Sequence, residues 1–230
     1  MKNNDLENKY KKIVKKNPES IKFLVSQGID VNAEGSEGNG TSGTALCCAM
    51  WHKNYKAAKA LLESGADPNI GYVMWFFSGT PFHDAALITD NSADIRFMIE
   101  ALTKAGGNIN DHYEFDSEER KEFIDDLKIG KYDSFTLTDG KINPEDPFNI
   151  GDLRLSRAGI INFESSCTPL MYAVLYDNPD AVSIFLDYGA DTSIRSAEGM
   201  TAFDYAKCLP KDSKLRKSPA YQKLRKATRN

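Results

Sequence analysis

The 230 residues carry 29 Lys and Arg against 33 Asp and Glu, a net charge of −4, with 41% hydrophobic and 27% charged side chains, the balance of a globular protein able to bury a core. No apolar run approaches the length of a membrane span, and Met1 to Lys16 lacks the apolar core of a signal peptide. Four cysteines, two of them adjacent, do not make a disulfide framework in a chain of this size, so a reducing cytoplasm is the expected compartment.

Asn3 to Lys16 is expected to be helical, with Leu6, Tyr10, Ile13 and Val14 on one face and lysines over the rest, as a capping unit with a wet outer side requires. Asn17-Pro18-Glu19 predicts a helix start: a capping side chain, a first-turn proline whose missing N–H has no partner to lose, and an acid facing the helix dipole. From Thr44 a pattern recurs. Thr44, Thr80, Thr168 and Thr201 each open a helix, followed by core bulk (Leu46, Phe82, Leu170, Phe203) and by an alanine (Ala49, Ala85, Ala173, Ala206) where paired helices come close. Gly65, Gly106 and Gly189 end the second helices, where a left-handed residue is needed. Thr168 to Thr201 is 33 residues and Thr44 to Thr80 is 36, but Thr80 to Thr168 is 88, so that gap holds a large insertion. Ala85 to Gly106 is 21 residues where Ala49 to Gly65 and Ala173 to Gly189 are 16, which predicts one extra helical turn plus one residue in the preceding turn.

The insertion, 111–165, is acidic: Asp111 to Asp152 has 13 acidic and 5 basic residues. Ser117 to Lys128 reads as a helix stopped by Gly130, and Phe135, Leu137 and Ile142 around Asp139-Gly140 suggest a hairpin. The chain closes on a basic stretch, Lys207 to Asn230, with 9 basic residues and 1 acidic. There Ser218-Pro219, Tyr221 and Leu224 predict a terminal capping helix with a solvated basic face.

Thr80-Pro81-Phe82-His83-Asp84-Ala85-Ala86 resembles the T-P-L-H-x-A-A signature of the ankyrin repeat family, and Gly65-Ala66-Asp67-Pro68-Asn69 and Gly189-Ala190-Asp191 resemble its close. The resemblance covers about five repeats (roughly 3–35, 40–72, 78–110, 165–196 and 198–228) within one domain, 1–230. It implies an all-α ankyrin-repeat solenoid of helix-turn-helix repeats with finger loops, interrupted by the insertion. It also implies a non-catalytic role, protein–protein interaction through the fingers and the concave groove of the first helices.

The finger Tyr72-Val73-Met74-Trp75-Phe76-Phe77 is abnormally apolar for a solvated turn. Tyr72, Met74, Trp75, Phe76 and Phe77 are therefore candidate partner anchors, with packing under the insertion as the alternative. In the groove the residues after the paired small positions are Trp51 and His52, Leu87 and Ile88, and Leu175 and Tyr176. Of these Trp51, His52 and Tyr176 are candidate interface residues, and Leu87 and Ile88 are expected in the core. Glu118, Glu119, Asp125 and Asp126 could steer a basic partner. A monomer binding a protein is expected, with no cofactor, no metal, no small-molecule substrate and no membrane. Within that reading an immunity protein against a basic toxin, or an effector aimed at host proteins from a bacterial source, are alternatives. An enzyme using Cys47, His52 or His83, a metal shared by Cys48 and His52, and nucleic-acid binding through the basic tail are the weaker rivals.

Overall fold

A computed structural model describes residues 18–36, 41–74, 77–112, 167–196 and 199–229. The helix expected over 3–16 and nearly all of the insertion lie outside these. Each recurring threonine acts as a cap. Thr44 accepts from the Cys47 N–H, Thr168 from Met171 and Thr201 from Asp204. The residue three places on answers in kind. His83 Nδ1 accepts the Thr80 N–H at 3.0 Å and Asp204 Oδ2 the Thr201 N–H at 3.0 Å, closing reciprocal caps.

These caps open first helices α2 (Ala45–Trp51), α4 (Pro81–Ala86), α6 (Pro169–Leu175) and α8 (Ala202–Cys208). Second helices are α1 (Pro18–Ser26), α3 (Tyr55–Glu63), α5 (Ser92–Lys104), α7 (Pro179–Asp187) and α10 (Pro219–Ala227), the last preceded by the short α9 (Lys214–Lys217). Asn54, Asn91 and Asn178 cap α3, α5 and α7. The glycines that end α3, α5 and α7, Gly65, Gly106 and Gly189, have φ of +94°, +89° and +81°. Helix α5 has 13 residues against 9 in α3 and α7, the extra turn that the sequence spacing requires.

First helices stack in one row, α2 on α4 on α6 on α8, and second helices in another, α1 on α3 on α5 on α7 on α10. The core lies between the rows and runs unbroken from Ile21 to Leu224. This is the helix-turn-helix solenoid expected from the sequence. The fingers add a feature that an all-α reading omits: β1 (Gly35–Ser36), β2 (Thr41–Gly43), β3 (Tyr72–Met74) and β4 (Phe77–Gly79) form one antiparallel sheet in that order. Two neighbouring fingers are joined edge to edge through β2 and β3, with Ser42 opposite Val73.

An asparagine ladder ties the repeats together. Asn32 Oδ1 accepts the Asp67 N–H at 2.8 Å, Asn69 Oδ1 the Asn108 N–H at 2.8 Å, and Asn110 Oδ1 the Asp191 N–H at 2.7 Å. The third rung spans the insertion, and so does the packing of α4 on α6 and of α5 on α7. Repeats three and four are therefore neighbours in the stack despite the residues between them.

The third repeat also contains a paired exchange of bulk. Its siblings use Leu46 with Ala66 and Leu170 with Ala190, whereas it uses Phe82 with Gly107. A Cβ on Gly107 would stand 2.5 Å from Phe82 Cε2 and 2.9 Å from the Leu102 carbonyl oxygen. Gly107→Ala is thus expected to destabilise by about 2 kcal/mol through overpacking, and adding Phe82→Leu should recover part of that. A denaturant double-mutant cycle measures both, and additivity of the two changes would contradict the pairing.

The basic tail caps the stack. Leu215 and Leu224 are fully buried, and Tyr221 packs against Phe203 with ring centroids 5.6 Å apart. Asp177, at φ +54°, accepts the N–H groups of Lys214 and Leu215 at 2.9 and 2.7 Å. Lys223 Nζ donates to the Ser183 carbonyl and to Asp187. Among the described residues no helix is long and apolar enough to cross a membrane.

Candidate functional site

The finger meets the first-helix row at Tyr72. Its ring lies where two glycines leave room: a Cβ on Gly43 would come within 3.0 Å of Tyr72 Cβ, and one on Gly79 within 3.3 Å of the Tyr72 hydroxyl. That seat carries the hydroxyl across to α4, where it donates to Asp84 Oδ1 at 2.9 Å. Trp51, at the end of α2, meets the Tyr72 ring edge to face at a centroid distance of 4.8 Å. The sheet, α2 and α4 thereby converge on one carboxyl group.

That group is in an unusual position. Asp84 is 8% exposed, its Oδ2 has no hydrogen-bond partner, and the buried indole Nε1 of Trp51 has none either. Burial pushes the Asp84 carboxyl up to about 8, against the opposing pull of the Tyr72 hydroxyl and of the Trp51 N–H, which faces it without closing a hydrogen bond. Burial and the Asp84 charge together hold the Tyr72 hydroxyl well above its ordinary range. The field extends outward: Tyr55, half-buried at the start of α3, is pushed up to about 12 by burial and then by Asp94, Asp90 and Asp84.

Farther along the row His83 Nε2 bonds the Cys167 carbonyl oxygen at 2.9 Å, just where the chain re-enters the stack after the insertion. Its ring meets Tyr172 edge to face at 4.7 Å, and Tyr172 stacks on Tyr176 at 6.0 Å. With Trp51 and Tyr72 these make an aromatic row along the first helices.

The candidate residues separate accordingly. Trp51 and Tyr176 are half-buried and His52 is exposed. Tyr72 is only 4% exposed, and its hydroxyl is engaged by Asp84, so in the free chain it is a packing residue of the groove floor rather than a protruding anchor. Met74 and Phe77 are opposite each other in the β3–β4 register. Trp75, Phe76, Glu118, Glu119, Asp125 and Asp126 lie outside the described residues. Ile88 is buried and Leu87 packs against the core. Sequence reading passed over Asp84. Its signals were a carboxylate in the variable position of the T-P-F-H-D-A-A run and a glycine before both Thr44 and Thr80.

The rival chemistries find little support in the geometry. Burial raises the Cys47 thiol to about 11, and its Sγ contacts the Ile70 carbonyl and Thr44 Oγ1, so it is a neutral hydrogen-bonding group. Burial holds His83 down to about 4, with Nδ1 taken by Thr80 and Nε2 by Cys167. Neither nitrogen is available as a general base. Among the described residues no three His, Cys, Asp or Glu side chains are grouped to hold a metal ion.

Comparison with known proteins agrees with this architecture. A family model for the ankyrin repeat matches residues 43–71, and one for ankyrin repeats in many copies matches residues 159–206. The chain is 30% identical over 195 residues to a mitochondrial disaggregase of Homo sapiens and 26% identical over 191 residues to one of Bos taurus. Each alignment covers 83% of this chain, which spans only 23% and 20% of those relatives.

Proposed function

This chain is an ankyrin-repeat protein, and on that footing we propose that it is a non-catalytic module binding a protein partner along the first-helix groove. The observation that carries the reading is the aromatic row from Trp51 through Tyr72 and Tyr172 to Tyr176, with unsatisfied polar atoms at one end. Tyr72 and Tyr172 are buried in the floor of this row, while Trp51 and Tyr176 are half-exposed aromatic side chains of the kind that anchor interfaces; the second-helix face carries exposed ion pairs such as Lys22–Glu63 and Arg96–Asp187. The acids of the insertion and the field around Tyr55 favour a basic partner.

The test is capture from a lysate of the source organism by wild type and by Trp51→Ala/Tyr176→Ala. Both residues are half-buried, so the variant should still fold, which a melt checks. Loss of capture by a folded variant is the expected result; undiminished capture would move the interface off the groove. A second reading comes from the relatives, whose name is that of disaggregases: the groove takes segments of aggregated protein. In that case the chain should slow light scattering by a heat-denatured model protein, and Trp51→Ala/Tyr176→Ala should slow it less.

A further inference from the structure

The unsatisfied Asp84 oxygen is an anomaly that a binding partner would resolve. Buried polar atoms in native proteins nearly always have partners, and an unpaired one marks a bound water, an ion or a function. Here two such atoms face each other: a carboxyl oxygen and an indole N–H, on different helices, at the groove end of the finger sheet. From β3 comes the Tyr72 hydroxyl, from α2 the Cys47 thiol and the Trp51 indole. Around Tyr55 on α3 the acids Asp90 and Asp94 add to Asp84, while Lys53 is paired to Asp90. The Asp84 oxygen can take a donor, and the neighbouring Trp51 ring offers a π system beside it, a pairing that suits a guanidinium or ammonium group.

We propose that Asp84 is the specificity-determining residue of the groove, receiving an arginine or lysine side chain of the protein partner beside Trp51. The proposal rests on the groove reading above and names the partner's chemistry. Its consequence distinguishes it from attraction by surface acids. Asp84 is protonated at neutral pH in the free chain because burial disfavours its charge. An arriving cation reverses that preference, so Asp84 gives up its proton to solvent as the ion pair forms. Binding and proton release are then one event. Exposed acids such as Asp90, held low by Lys53, are ionised beforehand and have no proton to release.

The experiment is calorimetric titration of the full chain with an acetylated, amidated peptide of alternating glycine and arginine, with its citrulline analogue as the neutral control. Titrations near pH 7 in two buffers of different ionisation enthalpy give the number of protons released. Wild type should bind the arginine peptide, release close to one proton, and ignore the citrulline peptide. Asp84→Asn, which keeps the shape, should bind about tenfold more weakly and release none. Glu118→Gln/Glu119→Gln/Asp125→Asn/Asp126→Asn should bind more slowly yet still release the proton. Binding without proton release by wild type, an unchanged Asp84→Asn, or no binding at all overturns the proposal. If the peptide fails while the lysate partner is captured through Trp51 and Tyr176, the binding-module reading stands and only the cation falls. Failure of both removes both.

Discussion

Between about pH 6.5 and 8 the wild-type chain should lose about 2 kcal/mol of stability that Asp84→Asn retains. Native Asp84, raised to about 8, holds a proton that the unfolded chain releases near 3.8. Raising the pH through that window favours unfolding, by about 1.4 kcal/mol per unit. His83 acts in the opposite sense: lowered from 6.5 to about 4, it is neutral in the native state while the unfolded chain takes up a proton. Its contribution is intact above 6.5 and is lost as pH falls toward 4. From about pH 4 to 6.5 the two slopes cancel, and above 6.5 Asp84 acts alone. The asparagine variant should therefore gain stability up to about pH 6.5 and then level off. Urea unfolding across the range reads both curves, and parallel curves would show that Asp84 is not protonated in the native state.

Asn178→Ala should cost about 3 kcal/mol, more than an ordinary lost cap. Asn178 Oδ1 accepts from the Ala181 N–H at the start of α7, while Nδ2 donates to the carbonyls of Ala86 and Ile88 at 3.0 and 2.8 Å. The side chain is 5% exposed, so alanine leaves both carbonyls of the third repeat buried and unpaired. Those bonds join the repeats on either side of the insertion. Asn91→Ala is the comparison: its exposed side chain caps α5 by accepting the Ala93 N–H, and the expected loss is about 1 kcal/mol. Equal losses from the two in denaturant melts would contradict the bridging role.

The repeat architecture was legible because its signals are local. A threonine cap, a first-turn proline and a glycine at a left-handed position each act within a turn of where they stand, and the extra turn of α5 could be counted from Ala85 to Gly106. The finger sheet was not legible, since strands of two or three residues carry no periodicity and β2 pairs with β3 from the next repeat. The placement of Tyr72 shows the same limit. Its aromatic, apolar neighbourhood suggested exposure on a finger, but the glycines at 43 and 79 that admit it come from two different repeats. Asp84 was missed for a related reason: a carboxylate in a variable position reads as a solvated charge until the tyrosine and the indole that cover it are brought in from β3 and α2.

With the first-helix row as the binding surface, hydrogen–deuterium exchange of the chain with and without its captured partner should change along that row. Slowed exchange at 44–54, 80–91 and 168–178, with α3, α5 and α7 little changed, is the result expected. Protection confined to the second-helix row, or none along either row, would contradict it.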